Sequence, residues 1–177
     1  MKKQKTIYGW HFIGKTLRDG TPIPPDGVWL PRIANPIPCE RGYHGSAHPL
    51  DALKYAPGST LCYDEYRGKI IEHGDPVDKF VGEQRRILRR MDATELLRYF
   101  ARMQAVSVAH LWDAPDVVLD YLMTGDESLR AVNAAATATW NAGAATWNAA
   151  AAAGAWNGGG AREEFQALVN ECMEVKP

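Results

Sequence analysis

Phe80-Val81-Gly82-Glu83-Gln84-Arg85-Arg86-Ile87-Leu88-Arg89-Arg90-Met91 runs directly into Asp92-Ala93-Thr94-Glu95-Leu96-Leu97-Arg98-Tyr99-Phe100-Ala101-Arg102-Met103, and the change of rhythm between them decides the fold class. In the first half, charged residues interrupt the apolar ones as in a half-buried strand. In the second, Leu96, Leu97, Phe100 and Met103 recur at three- and four-residue spacing, with Asp92 or Thr94 placed to cap the helix they imply. Strands before this point and helices after it read as an α+β chain: a small mixed or antiparallel β-domain over 1–92, then a helical region over 93–177.

Upstream, Thr6-Ile7-Tyr8-Gly9-Trp10-His11-Phe12-Ile13 is rich in β-branched and aromatic residues and reads as a strand, closed by a turn at Arg18-Asp19-Gly20. Pro22, Pro24, Pro25, Pro31, Pro36 and Pro38 exclude a helix before Cys39, leaving a long proline-pinned connection with a short strand candidate at Gly27–Leu30. Gly42-Tyr43-His44-Gly45-Ser46 reads as a short strand running into a loop. Ser46 or His48-Pro49 then opens a helix through Ala56, and Pro57-Gly58 ends it. Residues 59–66 and 68–73 read as two strands broken at Arg67-Gly68.

Downstream, Asp113-Ala114-Pro115 starts a helix with Val117, Val118, Tyr121 and Leu122 inward, and Gly125-Asp126 resets the chain. From Ala131 to Ala161 there is no Asp, Glu, Lys or Arg, and the tract repeats Thr139-Trp140-Asn141-Ala142, Thr146-Trp147-Asn148-Ala149 and, more loosely, Ala155-Trp156-Asn157-Gly158. Alanine lets helices approach closely, so the tract is either a packed hairpin or a seam between copies of a homo-oligomer. Gly158-Gly159-Gly160 breaks it before a short amphipathic helix carrying Phe165, Leu168 and Val169.

Of 177 residues, 46% are apolar and 23% charged, which is enough to build a core and far from disordered composition. A net charge of −1 argues against coating nucleic acid by bulk charge. Three cysteines, Cys39, Cys62 and Cys172, are too few for a disulfide framework and fit a reducing compartment. The basic start is followed by Tyr8-Gly9-Trp10-His11 rather than by a signal-peptide core, and no apolar window of about eighteen residues indicates a membrane span.

Several residues are candidates for chemistry. His11 is either a core histidine with a ring nitrogen bonded to backbone or a ligand-facing one at the mouth of a cleft. Cys39, His44, His48 and Cys62 have donors suited to zinc, but their spacing is not that of a standard finger, and no metal is expected. Strand alternation sends Arg85 and Arg89 to one side and Arg86 and Arg90 to the other, as a charged edge or a phosphate-facing pair. The common nucleotide-loop, metalloprotease and serine-hydrolase signatures are missing.

Cys39-Glu40-Arg41-Gly42-Tyr43-His44, Pro49-Leu50-Asp51, Asp78-Lys79-Phe80-Val81, Leu111 to Pro115 and the Ala/Trp repeats together resemble a family of bacteriophage and prophage proteins of unknown function. The resemblance covers nearly the whole chain. It implies an accessory or anti-defence protein in the cytoplasm of an infected bacterium, binding a host protein or a nucleotide ligand, and it supplies no catalytic residues.

A narrower likeness, over residues 8–90, is to ADP-ribosyltransferases. Trp10-His11 is similar to their first-strand step. Gly42-Tyr43-His44-Gly45-Ser46 with Asp51 to Ala56 is similar to their second motif, and Glu83 to their late-strand glutamate. That likeness implies NAD as cofactor, with His11 on the adenosine ribose and Tyr43 or Tyr55 stacked on nicotinamide. Glu83 would stabilise the oxocarbenium-like centre and Arg85 would hold the pyrophosphate. The chain departs from the pattern at Phe12-Ile13-Gly14 after the histidine and at Val81 two residues before Glu83. A third reading takes Arg85 to Arg90 as a nucleic-acid contact.

Overall fold

The structure is a computed structural model that describes residues 6–111, 113–132 and 159–174. The fold is α+β. The strands are β1 (Thr6–Ile13), β2 (Tyr43–Gly45), β3 (Thr60–Gly74) and β4 (Val77–Asp92). The helices are α1 (Pro49–Leu53), α2 (Thr94–Val108), α3 (Asp116–Thr124), α4 (Glu127–Val132) and α5 (Gly159–Met173), with a 3-10 turn at Ala109–Leu111. The chain divides into two compact units, one of residues up to Thr94 with those from Gln166 onward, the other of Glu95–Phe165. Among the described residues, no helix is long and apolar enough to cross a membrane. Residues 133–158, which hold the tryptophan repeats and most of the expected seam, lie outside the described residues.

The first unit is built on an antiparallel sheet in the order β1-β3-β4-β2. Immediately after β2, Ser46 turns back to β1. Trp10 N–H donates to Ser46 O at 2.8 Å and Ser46 N–H donates to Trp10 O at 2.9 Å. That bridge ties the two edge strands together at one point and curls the sheet into a small barrel. With so narrow a barrel, side chains from opposite strands meet inside. Tyr66 reaches from β3 across to the carbonyl of His44 on β2 at 3.0 Å and packs edge-on against Phe80 at 4.8 Å between centroids. Glycine is required where these rings arrive: a Cβ on Gly9 would stand 2.6 Å from Phe80, and one on Gly45 would overlap the Tyr66 hydroxyl.

The proline-pinned connection is not a free loop. Its N–H groups on Gly27, Leu30 and Ile33 donate to the carbonyls of Ile87, Arg85 and Glu83 at 2.7, 2.9 and 2.9 Å, covering the stretch of β4 that β2 leaves bare. α1 opens where expected: His48 Nδ1 accepts from Leu50 N–H at 3.1 Å, with Pro49 in the first turn.

Expectations for the strands are corrected in two places. The break at Arg67-Gly68 is a bulge inside a continuous β3, because one added residue can be absorbed by a register shift without ending the pairing. A second shift, at Tyr63/Asp64, places Arg89 opposite Tyr63 while Arg85 stays opposite Tyr66. Arg85 and Arg89 therefore face opposite sides of the sheet, against simple alternation.

In the second unit, Phe100 packs on Phe165 at 4.7 Å, and Gln104 donates to Glu164 at 3.0 Å. Gly125, at φ 71°, ends α3 in the left-handed conformation that glycine adopts without strain, and its N–H reaches Tyr121 O. The helix expected to begin at Ala161 begins within the glycine run, at Gly159.

Candidate functional site

Alternation on β3 sends Cys62, Asp64 and Tyr66 to the barrel interior. The register sets His11 of β1 opposite Cys62, and Arg85 of β4 opposite Tyr66. Four polar side chains from three strands therefore meet inside. His11 Nδ1 abuts Asp64 Oδ2, and the Tyr66 hydroxyl lies 3.1 Å from the same oxygen. Arg85 Nε is 3.8 Å from it, and Arg85 Nη1 donates to His44 O at 3.4 Å. Asp64 is fully buried, Arg85 is 6% exposed, and Ile13, Cys62 and Ile87 form the apolar wall beside them.

Burial, reinforced by the Arg85 charge, lowers the His11 pKa against the opposing pull of Asp64. Burial pushes the Tyr66 hydroxyl well above its ordinary value, with Asp64 adding to the shift. It pushes the Cys62 thiol up to about 12. Cysteine, histidine and aspartate lie together here, yet a fully buried thiol held protonated is no nucleophile. Both ring nitrogens of His11, Asp64 Oδ1 and Arg85 Nε are among the buried side-chain atoms that have no hydrogen-bonding partner among the described residues.

The other residues singled out in the sequence lie elsewhere. Trp10 points to the opposite face of the sheet, where its ring meets Tyr63 at 4.7 Å. Ser46 ties the two edge strands together through its backbone. Tyr43 donates to Pro31 O at 2.8 Å, with the Arg85 guanidinium 5.5 Å from its ring centre. His44 uses Nε2 to accept from Cys39 N–H at 2.8 Å. Tyr55 is exposed, bonded to Asp78 at 2.8 Å and lying under Lys79. Glu83 is held by Arg32 at 2.9–3.0 Å and lies against Gly68. Gly68 is six residues along β3 from Cys62, the neighbour of His11, so Glu83 meets β3 at a different point from His11.

The structure thus brings His11 and Arg85 together and leaves Glu83 and Tyr55 apart from them. Cys39, His44 and His48 do not join Cys62: His44 and His48 already accept backbone N–H groups, and Cys62 lies inside the barrel. The arginine run is committed internally. Arg86 pairs with Glu65 at 2.7 Å, Arg90 with Asp26 at 2.6 Å, and Arg89 donates to Met173 O at 2.7 Å. Asp64 and Tyr66 were not singled out from sequence; the signal was the alternation Cys62-x-Asp64-x-Tyr66, which puts all three on one face.

Neither a family model, nor a curated protein, nor a solved structure matches the chain.

Proposed function

We propose that this is a phage-type accessory protein that acts by binding a host protein, with the barrel as a rigid scaffold. The observation that carries the reading is an aromatic surface on the sheet face opposite the polar interior. Tyr8 is 53% exposed and stacked on Tyr63 at 6.0 Å and 16°, and Tyr63 in turn rests on Trp10. Rigid aromatic rings with one apolar face in solvent and one packed face are the residues that anchor protein interfaces, because they bury large area at little conformational cost.

The two rival readings draw less support. Transferase chemistry needs a free carboxylate beside the NAD ribose that His11 would hold, whereas Glu83 is tied to Arg32 and lies against Gly68 while His11 pairs with Cys62 and meets Asp64. A nucleic-acid contact needs cations free to meet phosphate, whereas Arg85, Arg86, Arg89 and Arg90 are each engaged within the fold.

The test replaces Tyr8 with a photo-crosslinking phenylalanine analogue in the bacterial host, with Met123 replaced as the control position. A discrete adduct from position 8 that disappears with Tyr63→Ala supports the reading. Identical adducts from both positions, or none from position 8, overturn it.

A further inference from the structure

We propose that His11, Cys62 and Asp64 form a site for one borderline-soft divalent cation of the zinc class inside the barrel. Among the described residues, these three are the group of histidine, cysteine and carboxylate side chains whose ligand atoms all lie within 4.8 Å of one another. They come from neighbouring strands: His11 and Cys62 are cross-strand partners, and Asp64 is two residues along the same face. Pairing on a rigid barrel fixes their spacing, so a cation draws the ligand atoms inward by side-chain rotation and leaves the strands in place.

A second, independent observation points the same way. His11 Nε2 and Asp64 Oδ1 are buried and have no hydrogen-bonding partner among the described residues. Buried polar groups are normally satisfied, and orphaned ones mark either a structural cost or a ligand. Here the orphaned atoms belong to two of the three candidate ligands. Asp64 suits the role because a carboxylate has two oxygens: one can ligate while the other keeps the Tyr66 hydroxyl at 3.1 Å. Tyr66 then orients the ligand from outside the coordination shell, as hydrogen-bonded partners of metal ligands commonly do.

The donor set selects the ion. One nitrogen, one sulfur and one oxygen fit zinc and its neighbours, while hard cations such as magnesium or calcium prefer all-oxygen shells. A thiolate and a carboxylate cancel the two charges of the ion, and Arg85, 3.8 Å from Asp64, remains as the only uncompensated cation among the side chains that meet there. On binding, the Cys62 S–H proton passes to solvent as the S–metal bond forms, and no redox change is involved.

The test uses the full chain carrying Cys39→Ser and Cys172→Ser. Both replaced residues are exposed, and Cys62 is then the only thiol of three. The protein is stripped with chelator, checked for fold by circular dichroism and titrated with cobalt(II). The expected result is one cobalt per chain with a near-ultraviolet thiolate-to-cobalt charge-transfer band that zinc abolishes by displacement. Adding Tyr66→Phe should weaken cobalt binding by roughly 10–100-fold while the band remains. A folded protein that binds no cobalt, or binds it without the charge-transfer band, overturns the proposal. Full cobalt affinity after His11→Asn overturns it as well.

Discussion

Trp10 and Ser46 exchange both of their backbone hydrogen bonds, at 2.8 and 2.9 Å, and this single pair ties the edge strands β1 and β2 of the four-stranded sheet together. Ser46→Pro removes one of the two donors, so Trp10 O loses its partner at a buried position. The expected cost is about 1–3 kcal/mol in denaturant unfolding. Hydrogen exchange at the Trp10 amide should also accelerate toward that of an edge strand.

Gly45 and Tyr66 are fitted to one another. Gly45→Ala puts a methyl group into the space of the Tyr66 hydroxyl, at an expected cost of about 1–3 kcal/mol. Tyr66→Phe deletes the hydroxyl, and with it the bonds to His44 O and Asp64. In the double variant the closest clash is gone and only the ring-carbon contacts remain, so the combined cost should be less than the sum of the two when measured as a double-mutant cycle.

Acid should destabilise the barrel through His44. Burial, with help from Lys79, Arg18 and Arg85, lowers its pKa, and its neutral Nε2 accepts the Cys39 N–H. A folded pKa below the unfolded value near 6.5 means the unfolded chain binds protons first. Stability is then complete above that value and falls as pH drops toward the folded pKa. His44→Gln keeps an acceptor but cannot titrate, so its melting temperature should fall less steeply between neutral and mildly acidic pH. An unchanged slope would show that His44 carries none of it; His11, whose pKa is also lowered, acts in the same direction.

Glu83 is a structural partner of Arg32 in this fold. Arg32→Ala leaves a carboxylate that is 7% exposed without its cation, but the Arg32 side chain is 63% exposed and solvent already screens the pair. The expected loss is therefore about 1 kcal/mol or less by chemical denaturation.

Local chemistry made much of this readable beforehand. Thr6–Ile13 has the residues of a strand, His48-Pro49 the residues of a helix start, and Asp92 caps α2 through the Thr94 N–H at 2.9 Å. Interactions distant in sequence were not readable. The prolines of residues 22–38 show only that the segment is extended; its three-residue spacing of bonds to β4 depends on where that strand lies. Bulges at Tyr63/Asp64 and Arg67/Ile70 reset which residues share a face, and no composition signal marks them. Asp64 looks like any charged residue in a strand until register brings His11 and Arg85 to it.

The central claim is that His11 belongs to a closed polar interior and shares no NAD site with Glu83. Thermal unfolding with and without millimolar NAD, on the wild-type chain, His11→Ala and Glu83→Gln, tests it most directly. The account predicts no NAD-dependent shift in any of the three. Ligand at a hundred times its dissociation constant would add about 2.7 kcal/mol, or roughly 5–10 °C in a chain of this size. A shift of that order in the wild type, lost in both variants, would contradict the claim.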